Sequence, residues 1–175
     1  MSKIKYTIAK IKYILQGRNN EVINDYFRKC GICIGNNTHI FSDLSGGEGF
    51  LISIGDDVTI SNNVSLITHD ASVSHYIDNA TDVFGKIKIG NNCFIGMNTT
   101  ILPGVEVADN CVIGAGSVVV KSISESGSVW AGNPARKICD VNCLEDKYKK
   151  NAVNLQDCST TNRMDEIIRA KLIKR

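Results

Sequence analysis

The feature that most constrains the fold is a strict six-residue repeat between Ile87 and Val120. β-Branched aliphatic residues recur at every sixth position, namely Ile89, Ile95, Ile101, Val107, Ile113 and Val119. A helix repeats near every 3.6 residues and a strand alternates every two, so neither element alone produces a period of six. Three such repeats are typical of one turn of a three-sided parallel β-solenoid, in which the inward side chains stack in columns.

The repeat extends towards the N-terminus and is interrupted twice. The same spacing occurs in residues 34–40 and 54–66, and Gly, Asn, Asp and Pro mark the corners between strands. Residues 42–49, with three glycines, form one interruption, which we expect to be a loop that could contact a substrate. Residues 68–86 form the other, a polar insertion too long for a corner. Interruptions of a regular scaffold are where function concentrates, so we expect the active residues there.

Composition limits the classes of protein and site that the chain can be. The net charge of +2 gives no sign of a nucleic-acid partner. Because the sequence has neither a long apolar run nor the features of a signal peptide, we expect a cytoplasmic protein. The seven cysteines are an odd number, which argues against a disulfide framework. Cys93 and Cys111 take small inward positions of the repeat, and we expect no metal site from the other cysteines.

The two ends of the chain predict helices. Residues 2–16 place Ile4, Ile8, Ile11 and Leu15 on one helical face, with lysines on both sides. Two alternatives follow: weak association with a membrane surface, or packing on the solenoid or a neighbouring subunit. We favour packing, because the helix is short and has neither Trp nor Phe. Residues 139–175 predict two short helices, one carrying Ile167, Ile168 and Leu172, that cap the open end of the solenoid.

The repeat also resembles a known family. Residues 89–123, IGNNCFIGMNTTILPGVEVADNCVIGAGSVVVKSI, and residues 129–138, VWAGNPARKI, resemble the hexapeptide-repeat acyltransferases. Within these, they are most similar to the sugar O-acetyltransferases that act on galactosides, maltose and nodulation factors. The resemblance implies an all-β solenoid of the left-handed parallel β-helix type, a homotrimer with active sites between subunits, and acetyl-CoA as co-substrate. The left hand rests on the family alone, because parallel crossovers are right-handed in about 98% of cases.

Together these features predict three parts of the chain. We expect an N-terminal helical segment over residues 1–29, a β-helix domain over 30–138 that carries the inserted loop 68–86, and a helical tail over 139–175. The resemblance further implies transfer of an acetyl group to a sugar hydroxyl, in the biosynthesis of a surface polysaccharide such as capsule, O-antigen or exopolysaccharide.

His69 is the candidate catalytic base. Acetyl transfer needs a group that titrates near neutrality to take the proton from the attacking hydroxyl, and histidine is suited to this. His69 stands where the repeat breaks, and the resemblance places the family's catalytic histidine there. The aspartate that some relatives use to orient the ring is replaced by Asn62 and Asn63. A backbone carbonyl, Asp70 or a residue of a neighbouring subunit would have to serve instead.

The resemblance also assigns the donor and acceptor sides of the site. It implies that the Met97 and Ala115 amides, each following a glycine, bind the thioester oxygen and the pantetheine. The same glycines could instead only turn corners. The residues expected to bind acetyl-CoA are Gly96, Met97, Gly114, Ala115, Lys121, Arg136 and Lys137. Trp130 could stack on adenine or cap the core. The residues expected to bind the acceptor are Asn63, Asp70, His75 and Asp82.

Three alternatives use parts of the same pattern. N-acetylation of a nucleotide-linked amino sugar needs the same fold and donor. A γ-carbonic-anhydrase-like hydratase would bind zinc through His39, His69 and His75, but their spacing does not place them on neighbouring sides of adjacent coils. A non-catalytic scaffold is disfavoured because both His69 and the donor segment are present.

Overall fold

Short strands, most of them paired parallel, form three sheets that the chain visits in turn. The structure is a computed structural model that describes residues 3–155, 160–170 and 173. The first sheet contains β1 (Cys33–Ile34), β3 (Ile52–Ile54), β8 (Ile87–Ile89) and β11 (Glu106–Val107). The second contains β2 (His39–Ile40), β4 (Thr59–Ile60), β9 (Phe94–Ile95), β12 (Val112–Ile113), β14 (Ser128–Gly132) and β15 (Ala135–Asp140). The third contains β5 (Ser65–Leu66), β10 (Thr100–Ile101) and β13 (Val118–Val119).

The register between neighbouring strands has the predicted period. Lys88 pairs with Glu106 in the first sheet, eighteen positions later, and Phe94 pairs with Val112 at the same interval in the second. Eighteen residues are three repeats of six, so each group of three repeats adds one strand to each sheet. The prediction of parallel strands with a six-residue period is confirmed.

The inward columns form the core. Ile95, Ile101 and Ile113 are fully buried, and Cys93 and Cys111 fill small gaps among them. Burial raises the pKa of the Cys93 thiol to about 11, so this cysteine stays protonated near neutral pH. The predicted inward position of both cysteines is confirmed.

The corners are held by asparagine and aspartate side chains stacked from turn to turn. Asn92 and Asn110 adopt positive φ, which asparagine tolerates better than most residues. The Nδ2 of Asn92 donates to the Oδ1 of Asn110 over 2.8 Å, and the backbone N–H of Asn91 donates to Asp109 over 2.6 Å. The corner residues thus bond along the stack as well as turning the chain.

The two interruptions change the register where they occur. His39 pairs with Thr59 at an interval of twenty, because residues 42–49 add to the first turn and lead into a 3-10 turn over Gly49–Leu51. Ser65 pairs with Thr100 at an interval of thirty-five. Inside that longer interval lie β6 (His69–Asp70) and β7 (Val83–Phe84), which pair antiparallel, and a 3-10 turn over Ala71–His75.

Two helices precede the sheets. They are α1 (Lys3–Leu15) and α2 (Asn20–Lys29). In α2, Asn24 donates from Nδ2 to the carbonyl of Thr38 over 2.8 Å, and Arg28 donates to the carbonyls of Ile34 and Gly35. These bonds and the buried Phe27 attach α2 to the first turn of the sheets.

The aliphatic face of α1 does not pack on the solenoid of its own chain. Ala9 is buried, and the Tyr6 ring lies 5.7 Å from that of Tyr26 and 5.8 Å from that of Phe27, so α1 contacts α2 through its aromatic side. Ile4 and Leu15 are 70% and 79% exposed. The helix thus packs within its own chain through its aromatic side and not through its aliphatic stripe, and the alternative that a neighbouring subunit covers the stripe stays a prediction.

The chain divides into two compact units, Met1–Cys139 and Asp140–Arg175. The first contains α1, α2 and the sheets. The second contains α3 (Asn142–Tyr148) and α4 (Thr160–Arg169), and Leu172 lies outside the described residues. The capping role of the tail stays a prediction. Among the helices that the structure describes, none is long and apolar enough to cross a membrane.

The inward columns predict a sharp difference between adjacent residues of β8. Ile89 is 1% exposed, whereas Lys88 is exposed on the same strand. Ile89→Ala is expected to lower the free energy of unfolding by about 2–5 kcal/mol, because it leaves a cavity in the column. Urea denaturation followed by circular dichroism measures the change, with Lys88→Ala as the matched control. Equal effects of the two substitutions would contradict the inward stacking.

Candidate active site

His69 lies at the start of the β6–β7 hairpin, where the chain leaves the third sheet. It pairs with Phe84 across the hairpin, and the N–H of Gly85 donates to the carbonyl of Thr68 over 2.9 Å. The imidazole lies 5.9 Å from the Phe84 ring, centroid to centroid, and its side chain is 41% exposed. The hairpin therefore holds the ring in place while leaving it open to a substrate.

Glu48 orients the His69 ring. Its Oε2 lies 3.1 Å from Nδ1 of His69. With Nδ1 donating a proton to the carboxylate, Nε2 carries the free lone pair of the neutral imidazole. A histidine held in this tautomer can accept a proton at Nε2, and the nearby carboxylate stabilises the imidazolium that results.

Thr68 holds the Glu48 carboxylate in position. Its hydroxyl donates to Oε2 of Glu48 and accepts from the backbone N–H of Glu48 over 3.3 Å. Thr68 is only 1% exposed, so the surrounding packed residues hold its side chain in this position. The hydrogen bond from Thr68, followed by that from His69, lowers the pKa of Glu48 below its ordinary value.

Glycine lets the two interruptions meet. A Cβ at Gly47 would lie 2.9 Å from Oγ1 of Thr68, and one at Gly49 would lie 2.2 Å from the carbonyl oxygen of Cys30. The glycines of the 42–49 loop therefore allow the backbone to pass close to the wall, which brings Glu48 to His69.

The sequence analysis missed Glu48. It named a backbone carbonyl, Asp70 or a neighbouring subunit as the partner of His69, and it assigned the 42–49 loop only to possible substrate contact. The available signal was the spacing. Glu48 and Thr68 are twenty positions apart, the same interval at which His39 pairs with Thr59. A residue of the first interruption is thus aligned with the start of the second.

The expected acceptor residues lie on the inserted loop and on the corner that precedes it. Asp70 accepts from the N–H of Ser72 over 2.8 Å, and this bond lowers the pKa of Asp70. His75 is exposed beside Tyr76, with ring centroids 6.2 Å apart. Asn63 turns a corner with a φ of 58°, and Asp82 directly precedes β7. Within the described residues, no hydrogen bond or ion pair joins these side chains to His69.

On the donor side, the two glycines have a packing role. A Cβ at Gly96 would lie 2.5 Å from the nitrogen of Ala115, and one at Gly114 would lie 2.9 Å from the Cβ of Ala131. Successive turns therefore approach too closely here for any side chain. The following amides, of Met97 and Ala115, donate to no protein acceptor in the part of the chain that the structure describes. They are available to a ligand.

The expected phosphate-binding residues follow the third sheet and β14. Lys121 is exposed directly after β13. Arg136 donates from Nη1 to the carbonyl of Ala135 over 3.0 Å, and Lys137 forms an ion pair with Glu125. Trp130 takes the inward register opposite Ile113 and packs against the core, which favours the capping interpretation over adenine stacking.

The histidines occupy separate surroundings. Asn20 donates to Nδ1 of His39, whereas His69 faces Glu48 and His75 lies at the end of the 3-10 turn. Among the described residues, no group of three or more His, Cys, Asp and Glu side chains could hold a metal ion.

Comparison with known proteins places the chain in a family. The family described as bacterial transferase hexapeptide (six repeats) matches residues 86–121. Protein CapG of Staphylococcus aureus is 43% identical over 81% of this chain and 84% of CapG. A galactoside acetyltransferase solved in complex with coenzyme A is 36% identical, with a TM-score of 0.59 over 71% of this chain. The chain belongs to the hexapeptide-repeat acetyltransferase family.

A further relative of this acetyltransferase supports the same group. A maltose O-acetyltransferase from Clostridium difficile is 26% identical, with a TM-score of 0.54 over 79% of this chain and 89% of its own. The chain spans 60% of the galactoside acetyltransferase. The predicted resemblance to the galactoside and maltose O-acetyltransferases is confirmed.

The lowered pKa of Glu48 predicts a pH-dependent contribution to stability. A carboxyl whose folded pKa is below its unfolded value, here 4.5, stabilises fully above that value and loses its contribution as pH falls through the folded pKa. Glu48→Gln is therefore expected to lower the melting temperature at pH 7 and to lower it progressively less below about pH 4.5. Thermal melting of both proteins across this range measures the difference. A difference that stays constant down to pH 3 would contradict the assignment.

Proposed function

We propose that this acetyltransferase transfers the acetyl group of acetyl-CoA to a sugar hydroxyl, with His69 as general base. The observation that carries the proposal is the pair of His69 and Glu48 at the break in the repeat, with Nδ1 held 3.1 Å from the carboxylate. The galactoside acetyltransferase structure contains coenzyme A, and the solved relative from Clostridium difficile is described as a maltose O-acetyltransferase. A base with this geometry suits an acceptor that must lose a proton.

The proposed reaction is direct. The acceptor oxygen attacks the thioester carbonyl carbon while its proton passes to Nε2 of His69. The carbon–sulfur bond then breaks, and the departing thiolate takes the proton from the imidazolium. Cys93 and Cys111 are buried in the core, which argues against a cysteine nucleophile. Much of the rate enhancement would come from holding the two substrates in line.

The Met97 and Ala115 amides would supply the hydrogen bonds on the donor side. Both follow strands held by stacked turns. The Met97 amide, pointing at the thioester oxygen, would stabilise the charge that develops there, and the Ala115 amide would bind the pantetheine. Lys121 and Arg136, with Lys137, would meet the phosphates of CoA.

We further propose a left-handed parallel β-helix and a homotrimer with its sites between subunits. The eighteen-residue register and the family support the helix. An apolar column on the outside of the third sheet, at Ile67, Leu102 and Val120, is only partly buried. The exposed side of the His69 imidazole must also be covered by a further protein surface if water is to be excluded. A neighbouring subunit would cover both the apolar column and the exposed side of His69.

The acceptor would bind beneath the inserted loop 68–86. Its hydrogen-bonding residues Asp70, His75 and Asp82, with Asn63 at the preceding corner, suit a carbohydrate, and we propose a unit of a surface polysaccharide. Because acetyl-CoA is made inside the cell, we place the reaction in the cytoplasm. Acetylation of an amine on a nucleotide-linked sugar is the competing outcome.

His69→Ala is expected to lower kcat for acetyl transfer by about 10²–10⁴-fold, because the hydroxyl then has no base. Thiol release from acetyl-CoA is measured over a panel of glycosides, oligosaccharide units, nucleotide sugars and amino sugars. The Kd of CoA should change little. His75→Ala is the matched comparison in the same loop: as an acceptor-binding residue it is expected to raise KM for the acceptor and to leave kcat at saturating acceptor largely unchanged.

The outcomes of this panel separate the alternatives. Turnover on a hydroxyl that is lost in His69→Ala and kept in His75→Ala supports the proposal. Turnover on amines alone moves the enzyme to N-acetylation. Unchanged turnover in His69→Ala contradicts the assigned base, and failure to bind CoA contradicts the proposed donor.

Lys121→Ala is expected to weaken CoA binding about tenfold, since a charge-assisted bond to a phosphate is lost, equivalent to about 1.4 kcal/mol. Calorimetry gives the Kd. Turnover of acetylpantetheine, which has no nucleotide phosphates, should not change. Lys88→Ala, which removes an exposed lysine from the first sheet, is the control. An equal loss with acetylpantetheine would show that Lys121 does not act on the phosphates.

A further inference from the structure

The helix α1 has two different apolar faces, and only one of them packs against the rest of the chain. Tyr6, Ala9 and Tyr13 lie on the side that packs against the core cluster around α2. At about 100° per residue, Ile8 and Ile11 lie on the opposite side. The helix is therefore attached to the protein by its aromatic side and carries an aliphatic stripe away from it.

The stripe is long and exposed. It consists of five aliphatic side chains whose exposed fractions are 70% for Ile4, 48% for Ile8, 51% for Ile11, 61% for Ile14 and 79% for Leu15. At about 1.5 Å per residue it runs for about 17 Å. Contiguous apolar surface of this kind marks a binding surface more often than isolated exposed residues do.

Lysines line both edges of the stripe. By helical position, Lys5 and Lys12 lie along one edge and Lys10 lies along the other, where its Nζ is 5.4 Å from the Tyr6 ring. Residues 3–15 contain no aspartate or glutamate. An aliphatic stripe with lysines on both sides matches the chemistry of an anionic lipid surface, where acyl chains meet phosphate headgroups.

A second copy of the same helix matches less well. Two α1 stripes placed face to face would bring lysines against lysines, and the helix has no acidic side chain to neutralise them. We propose that α1 binds an anionic membrane surface, lying in its plane with Ile4, Ile8, Ile11, Ile14 and Leu15 among the headgroups and upper acyl chains. This inference goes beyond the proposed function and does not depend on the acceptor.

The attachment of α1 to α2 would determine which end of the protein faces the membrane. Its aromatic side is fixed to α2, and α2 is bonded to the first turn of the sheets through Asn24 and Arg28. The end of the sheets that carries the first turn would therefore face the bilayer. The stripe has no Trp or Phe, and no helix described in the structure could cross a membrane, so binding should be reversible and sensitive to salt.

The experiment measures vesicle binding by the full chain. Flotation compares vesicles of phosphatidylcholine alone with vesicles of equal phosphatidylcholine and phosphatidylglycerol, at low and high salt. We expect binding to the anionic vesicles only, weakened by salt. Ile4→Gln with Leu15→Gln is expected to weaken it about tenfold, and Lys5→Gln with Lys12→Gln about thirtyfold. Lys88→Gln with Lys150→Gln removes the same charge elsewhere and should bind like the wild type.

Three results would overturn the proposal. These are the absence of binding to anionic vesicles at low salt, equal binding to both kinds of vesicle, and equal loss in the control variant. Analytical ultracentrifugation of Ile4→Gln with Leu15→Gln supplies a further decision. If this variant changes the oligomeric state and the wild type binds no vesicles, the stripe is an interface between copies. Because the substituted residues are exposed, circular dichroism should show an unchanged fold.

Discussion

The hydrogen-bonded register between successive turns is the constraint on which the rest of the structure depends. The N–H of Phe94 donates to the carbonyl of Cys111 over 2.9 Å, and that of Gly96 donates to Ile113 over 2.8 Å. Each such bond requires the chain to return after a fixed number of residues, and the inward isoleucines stack only if it does. Residues beyond the regular length of a turn cannot be accommodated in the stacked sheets, so they form loops outside them. The candidate active site is built from two of these loops.

The same constraint explains which features could be predicted. The six-residue period depends on side chains close together in sequence, so the parallel strands, the corners and the buried Cys93 and Cys111 follow from local pattern. The partner of His69 depends on how one turn aligns with the next. Glu48 stands twenty residues before Thr68, two more than the eighteen of a regular turn, so the two residues align only when the 42–49 loop is counted into the first turn. The sequence analysis named a backbone carbonyl, Asp70 or a neighbouring subunit as the orienter, whereas the carboxylate beside His69 belongs to Glu48, one turn away in the same chain.

The glycines on the donor side serve two purposes that sequence cannot separate. Stacking alone requires Gly96, because a Cβ there would meet the backbone of Ala115 at 2.5 Å. That close approach also leaves Met97 at the corner, with its amide outside the ladder of bonds between turns. A residue needed for folding thus places a potential ligand-binding amide beside it. Packing therefore explains the presence of Gly96 in the repeat whether or not a ligand binds.

The helix α1 shows where the usual rule for amphipathic helices fails. That rule turns the most apolar stripe towards the core, and it led to the expectation that Ile4 and Leu15 would be covered. The aromatic cluster of Tyr6, Tyr26 and Phe27 instead decides which side packs, because rings bury more surface per residue than aliphatic side chains do. Once the aromatic side holds the helix, the aliphatic stripe contributes little to folding of the chain. Its position between lysines is the observation from which we infer a membrane-binding role.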